Sequence, residues 1–272
     1  MQLKGAVAIV TGGARGLGRA IAEAYAERGA QVAIVDLLKD TLQETARDME
    51  KGGAMVLPVP ADVTVASQVE EMAGRVKEKL GPVDILVNCA GSLSAIGPVW
   101  EVAPERWFRD VTVNLYGTFV CCRAVIKDMI ERKFGYILNM VGGGVGDPHA
   151  YTTGYACSKT GVMRLTEGLA REAAPFGVKV FAMQPGPVLT AMTKFIMESP
   201  EGRKWRPTFS SIFEEGRDAP AALVAQLAVN LVSGEADALT GRYFDARRDF
   251  EAILKDAESI LRDDRFTLRI VQ

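Results

Sequence analysis

The chain has 272 residues with 32 basic and 34 acidic side chains, a formal charge of −2, which excludes a dedicated nucleic-acid surface or a polybasic membrane anchor. No apolar run approaches the ~20 residues a membrane helix needs, and the length suits one large α/β domain. Residues 6–10, Ala-Val-Ala-Ile-Val, form a short apolar run without alternation, as buried parallel strands do. It breaks into Thr11-Gly12-Gly13-Ala14-Arg15-Gly16-Leu17-Gly18, and an amphipathic helical pattern follows to Gly29. Strand, glycine turn and helix in that order aim backbone N–H groups and a positive helix end at a pyrophosphate. Glycine is needed there because side chains would block close approach of the ligand. Gly12, Arg15, Gly16, Leu17 and Gly18 are thus expected at a dinucleotide. The next run, residues 31–35, ends in Asp36, eighteen residues beyond Gly18, and a carboxylate there suits a ribose with two free hydroxyls. Arg15 could instead accept a 2′-phosphate, but Asp36 would repel one and Leu37 and Leu38 add no cation, so NAD is expected over NADP.

The alternation continues. Helical patterns at residues 41–51 and 67–80 separate strands at 54–59 and 83–87, which lead into Ala61-Asp62-Val63 and Asn88-Cys89-Ala90-Gly91. Residues 104–133 carry a long apolar stripe through Trp107, Val111, Leu115, Phe119, Cys122, Ile126 and Ile130. A strand at 136–141 runs into Gly142-Gly143-Gly144, read as a flexible turn, and a helix at 153–172 precedes a strand at 178–182. Repeated β-α-β units predict a doubly wound parallel sheet with helices on both faces. No repeat, linker or composition break divides the chain, so residues 1–272 are expected as one domain. The four cysteines (Cys89, Cys121, Cys122, Cys157) and the lone His149 lack metal-ligand spacing. The thiols read as reduced core residues. With no signal-peptide pattern at residues 1–5, the expected location is cytoplasmic.

Tyr155 and Lys159 stand four residues apart on the predicted helix and so share a face. A free phenol has a pKa near ~10, and an ammonium one turn away would bring it toward the working range. Taken with Thr11-Gly12, Gly16, Gly18, Asp36, Asp62-Val63, Asn88-Cys89-Ala90-Gly91, Asn114, and Pro185-Gly186 followed by Val188 and Thr190, the chain resembles the short-chain dehydrogenase/reductase family of the single-domain type. The resemblance runs from Lys4 to about Asp245. It implies a Rossmann-type sheet of seven parallel strands in the order 3-2-1-4-5-6-7. It implies Tyr155 as acid/base, Lys159 as its pKa-lowering partner and ribose ligand, and Asn114 as part of a water-linked proton relay. Asp62 and Val63 match adenine contacts, Asn88, Ala90 and Gly91 the motif beside the cofactor, and Pro185, Gly186, Val188 and Thr190 the nicotinamide segment.

One position departs from the pattern. The family places a serine thirteen residues before its tyrosine, and here that position is Gly142. Losing a donor to the substrate oxygen typically costs ~100- to 1,000-fold. Three readings follow: hydride transfer with another donor, a cofactor-assisted reaction without net redox such as epimerisation or elimination, or an idle dinucleotide-binding protein. The first is the favoured reading, and retention of both Tyr155 and Lys159 weighs against the third. Candidate donors are Thr152, Thr153, Ser92, Ser94, His149 and the backbone N–H groups of Gly142–Gly144. His149 lies six residues before Tyr155, in a loop the family puts beside substrate, so Gly142, Gly143, His149 and Met192 are the expected substrate contacts.

The lid the family varies spans about residues 191–217, where Met192, Phe195, Ile196, Met197, Trp205, Phe209 and Phe213 interleave with Arg203, Lys204 and Arg206. That mixture suits a medium-sized apolar or aromatic ligand with room for a carboxylate, but a self-packed lid with a basic outer face is the stronger reading. Residues 220–232 read as a helix and 241–245 as the seventh strand. An extension of about residues 246–272 follows, with a helix at 250–261. Such a tail, with the apolar stripes on the 107–130 and Tyr155 helices, predicts a homodimer or homotetramer. The expected activity is NAD(H)-dependent interconversion of a secondary alcohol and a ketone.

Overall fold

The computed structural model describes residues 1–270; Val271, read from sequence as part of the tail's last apolar run, lies outside them. Seven strands pair in the order β3-β2-β1-β4-β5-β6-β7, every ladder parallel: β1 (Val7–Thr11), β2 (Gln31–Asp36), β3 (Val56–Pro60), β4 (Ile85–Asn88), β5 (Gly135–Met140), β6 (Val178–Gln184) and β7 (Tyr243–Asp245). The predicted order holds. The pleat sends alternate side chains to opposite faces. Ala8 and Val10 of β1, Val32 and Ile34 of β2, and Ile85 and Val87 of β4 enter one apolar layer. Their neighbours Val7, Ile9, Ala33, Val35 and Leu86 enter the other. Helices α1 (Gly16–Ala26), α2 (Lys39–Lys51) and α10 (Ala221–Leu231) cover the first layer, and the Tyr25 hydroxyl donates to Ala228 O at 3.0 Å to join α1 to α10. The second layer lies under α3 (Ala66–Lys79), α5 (Gly117–Arg132) and α6 (Thr153–Ala173).

The helix expected over residues 104–133 is three pieces. α4 (Pro104–Val111) passes into a π-helical turn, Thr112–Tyr116, and then into α5. Such π turns recur at functional sites, and this one contains Asn114, fully buried. Of the apolar stripe read from sequence, Cys122 is buried, while Phe119 is exposed and Trp107, Val111, Leu115, Ile126 and Ile130 are half-covered. The inward face is instead Asp110, Asn114, Thr118, Cys121, Val125 and Met129. The segment is apolar on two sides, and the sequence pattern had singled out the outer one.

Registers align the strand ends. Thr11 lies opposite Asn88, Asn88 opposite Asn139, and Met140 opposite Met183. Chain order reverses between β1 and β4, the crevice where open α/β sheets take their ligands. Past β6 the chain forms α7 (Ala191–Glu198), α8 (Pro200–Trp205) and α9 (Ser211–Glu214) over that edge. The extension helix expected at 250–261 is broken at Asp256 into α11 (Phe250–Lys255) and α12 (Ala257–Arg262). Beyond it, Phe266 O accepts from Tyr243 N at 3.0 Å, so the tail pairs with the exposed border of β7. All four cysteines are free, and Cys121 and Cys122 are buried as expected, but Cys157 is exposed on the outer side of α6. No described helix is long and apolar enough to cross a membrane.

Candidate active site

The glycine turn is shaped by backbone contact. A Cβ on Gly12 would lie 2.9 Å from Ala90 N, and one on Gly18 would overlap Gly12 O. Gly12 and Gly16 both take positive φ, 68° and 59°, the left-handed region that suits glycine. The Thr11 hydroxyl accepts from Cys89 N and Ala90 N, each at 3.1 Å, and locks the ends of β1 and β4 together. At the end of β2 the Asp36 carboxylate accepts from Ala14 N at 3.3 Å and from Leu38 N at 3.1 Å. It is thereby fixed beside the glycine turn. Arg15 is exposed and forms no ion pair among the described residues. These residues fit a dinucleotide: a cradle too tight for side chains, an open helix N-terminus and a fixed carboxylate.

The other expected contacts divide. Asp62 turns back on its own chain, accepting from Thr64 N at 2.8 Å and Thr64 Oγ1 at 2.7 Å, while Val63 packs against Gly117. Asn88 donates to Asn139 Oδ1 at 2.9 Å and Asn139 to Thr166 Oγ1 at 3.0 Å, a buried ladder across β4, β5 and α6. Pro185 leads into Gly186, φ 72°. Val188 is buried in the core, and Thr190 caps α7 by accepting from Thr193 N at 3.4 Å. Thr190 also packs near Gly16, so the start of the lid touches the glycine turn. Met192 reaches Gly91, beside Lys159 Nζ, at the crevice.

At the end of β5 two glycines make room for two side chains. A Cβ on Gly142 would overlap the Tyr155 hydroxyl and stand 2.9 Å from its Cζ. A Cβ on Gly143 would overlap His149 Cε1 and stand 2.9 Å from its Nδ1. The turn read as flexible is therefore a packed seat, and a serine could not stand at 142 with the phenol where it is. Lys159, 3% exposed, donates to Met140 O at 2.8 Å, with Nζ 5.7 Å from the Tyr155 ring centre.

The electrostatics differ from the expectation. Tyr155 is only partly covered as a residue, yet its hydroxyl end is deeply enclosed. Burial, with smaller contributions from Cys89 and Asp110, pushes the phenol well above its ordinary value. Burial also lowers Lys159 from its ordinary 10.5 to about 8. Lys159 is not among the groups that shift the phenol here, and burial, which disfavours the charged form, sets the direction. Burial and the charge of Arg206 lower His149, opposed by Asp147, so its imidazole is neutral at neutral pH.

Asn114 sits one layer back, donating to Ser158 Oγ at 2.9 Å and Ser92 O at 2.9 Å and accepting from Ser92 N at 2.8 Å. Sequence reasoning missed Asp110. This carboxylate is 0% exposed and accepts from Ser92 Oγ at 2.7 Å, Ser94 Oγ at 2.9 Å, Ser94 N at 2.8 Å and Ala95 N at 3.0 Å. A buried charge is tolerated when its oxygens are met this fully, and the loop at 92–95 is held as a wall of the site. Its one sequence signal was an acidic residue three positions after Trp107. Of the candidate donors, Ser92 and Ser94 thus spend their hydroxyl protons on Asp110, and Thr153 accepts from Trp107 Nε1 at 3.1 Å. Thr152 is buried at the start of α6.

The family model described as short chain dehydrogenase matches residues 6–201. The chain is a short-chain dehydrogenase. It is 34% identical over 245 residues to a D-threitol dehydrogenase of Mycolicibacterium smegmatis, covering 89% of this chain and 94% of that one. A 3-oxoacyl-acyl-carrier-protein reductase of Thermotoga maritima is 34% identical over 244 residues, covering 89% and 96%. The crystal structure of a levodione reductase superposes with a TM-score of 0.82 at 28% identity, covering 89% and 96%. As a short-chain dehydrogenase the protein is an oxidoreductase of a family that binds a nicotinamide dinucleotide.

Proposed function

We propose that the protein interconverts a secondary alcohol and a ketone with NAD(H), Tyr155 handling the proton and His149 taking the part of the absent serine. The observation that carries this reading is the pairing at Gly142-Gly143: the phenol and the imidazole fill the two neighbouring gaps at the end of β5. The bound dinucleotide supplies or accepts the hydride. Gly12, Gly16, Gly18 and the α1 N-terminus would hold its phosphates, and Asp36 its adenosine ribose. A 2′-phosphate would meet the Asp36 carboxylate, which supports NAD over NADP.

Tyr155, its pKa raised, keeps its proton through neutral pH and so serves as the acid when a carbonyl is reduced. His149, neutral, offers one ring N–H to the substrate oxygen as charge develops there. Lys159, held on Met140 O, places a cation under the phenol, which stabilises the phenolate left after proton release. Asn114 and Asp110 keep the surrounding loop and helix in register. Replacing Tyr155 by Phe removes the proton donor with little change in shape. Turnover should fall by ~10²- to 10⁴-fold while NADH still binds. The check is an alcohol and ketone panel followed at the nicotinamide absorbance, with NADH binding measured in parallel. Turnover persisting in the Phe variant would sink the acid/base assignment, and product formed without net NADH change would favour epimerisation.

The protein further acts as a homo-oligomer in this reading. Two apolar grooves of about 560 and 620 Å³ lie on the outer face of α4 and α5, one between Val99 and Phe108 and the other between Phe108 and Phe119. Phe108 and Phe119 stand 65% and 44% exposed beside them, adjoining apolar side chains that a second copy would cover.

A further inference from the structure

Arg206 stands where the lid meets the loop that carries His149. We infer that it is an anion-binding group and that the substrate is an oxo or hydroxy acid whose carboxylate it holds; this rests on the alcohol/ketone reading above. Arg206 is half-buried and has no carboxylate within ion-pair distance among the described residues. The other half-buried arginines are paired: Arg19 with Glu23, Arg132 with Asp84, and Arg242 with Asp264. On the lid itself, Lys204 pairs with Glu101. Arg206 makes only a long 3.5 Å contact to Ala150 O and lies over the Phe209 ring at 5.6 Å. Most of the five N–H donors of a guanidinium are left for another partner.

Its placement points that charge at the site. Ala150 follows His149, and Gly143, which makes room for His149, follows Gly142, which makes room for the phenol. The guanidinium is also close enough to depress the imidazole's pKa. Behind it, Trp205 stacks on Tyr151 with ring centres 5.1 Å apart, and Tyr151 O accepts from Gly97 N at 2.8 Å. The lid end, the 149–151 loop and the segment after β4 are thereby fixed together, so the charge is held rather than waving in solvent. A half-buried guanidinium without a counter-charge is costly to keep, and a planar carboxylate is the partner its fork suits. Reduction of an oxo acid balances without further reactants: hydride goes to the carbonyl carbon and the Tyr155 proton to its oxygen, while the carboxylate stays unchanged on Arg206.

The test compares acetoacetate, levulinate and benzoylformate, each against its methyl ester, by NADH consumption and by titration calorimetry. Wild-type protein should prefer at least one acid to its ester. Arg206→Gln should raise KM for that acid and cut the acid-to-ester ratio of kcat/KM by about 10- to 100-fold, with Arg206→Lys between them. Thermal unfolding of both variants guards against a merely misfolded lid. Every ester handled as well as its acid, or a ratio unmoved in Arg206→Gln, overturns the inference. If no compound consumes NADH, the redox reading fails, and calorimetry decides the anion site alone. Acid binding that is lost in Arg206→Gln upholds it, and binding that is absent or unchanged overturns it.

Discussion

The two ends of the crevice are built by opposite means. Around Gly12 and Gly18 the site is backbone: glycines are there because another main chain lies against them, and the groups presented are N–H donors and one fixed carboxylate. Around Gly142 and Gly143 the site is side chain: glycines are there because Tyr155 and His149 fill the gaps. The first end takes its shape from main chain, so glycine spacing and strand order set it rather than particular side chains. The second depends on which side chains arrive from the 149–155 segment, so its chemistry can change while the sheet stays the same.

After the loss of the phenol, the largest expected effect separates those two uses of glycine most directly. His149→Phe keeps a ring over Gly143 and removes its N–H, so kcat should fall by ~100- to 1,000-fold with NADH affinity unchanged. A variant that turns over at the parent rate would make His149 mere packing. Lys159→Met probes the cost of the buried cation. Because Lys159 is lowered from 10.5 to about 8, the unfolded chain binds more protons between those values. Parent stability therefore rises with pH across that window and carries the full burial cost, about 3 kcal/mol, below it. The Met protein should lack that rise, in denaturant titrations from pH 7 to 10.5. Parallel curves for the two proteins would refute the buried-cation account.

Gly142→Ser restores the family's serine but sets its Cβ onto the phenol. It should destabilise by about 1–3 kcal/mol and lower kcat rather than rescue it. A faster enzyme would show that the phenol yields readily. The smallest effect belongs to the backbone end. Asp36→Ala should weaken NADH and narrow the preference over NADPH by roughly 10-fold, about one charged contact. An unmoved preference would remove Asp36 as selector.

This contrast also explains what the sequence disclosed. The strand order, the glycine turn and Asp36 were legible because parallel strands and close backbone approach leave marks at fixed spacing. The departure at Gly142 was visible, but its cause was not. Whether a missing Cβ leaves a void, a hinge or a seat depends on side chains that arrive from elsewhere in the chain. Asp110 was hidden for a similar reason, since its partners Ser92 and Ser94 are remote in sequence and meet it across a loop. The Tyr155–Lys159 spacing correctly placed both groups on one helix face, but spacing carries no information about desolvation, which reverses the expected direction of the phenol's shift. The long helix over 104–133 misled because periodicity cannot register one turn wound wider than the rest.

That wider turn is a reserve of chain length between two surfaces. A π turn holds one residue more than an α-turn, so deleting one residue from Thr112–Tyr116 would let the segment close into α-helix with Cys121, Val125 and Met129 still on the sheet. The same deletion within Gly117–Arg132 has no such slack and would rotate everything after it by about 100° about the axis. A residue lost from the wide turn should therefore cost the fold less than one lost from the helix beside it, and its effect should fall on the setting of Asn114.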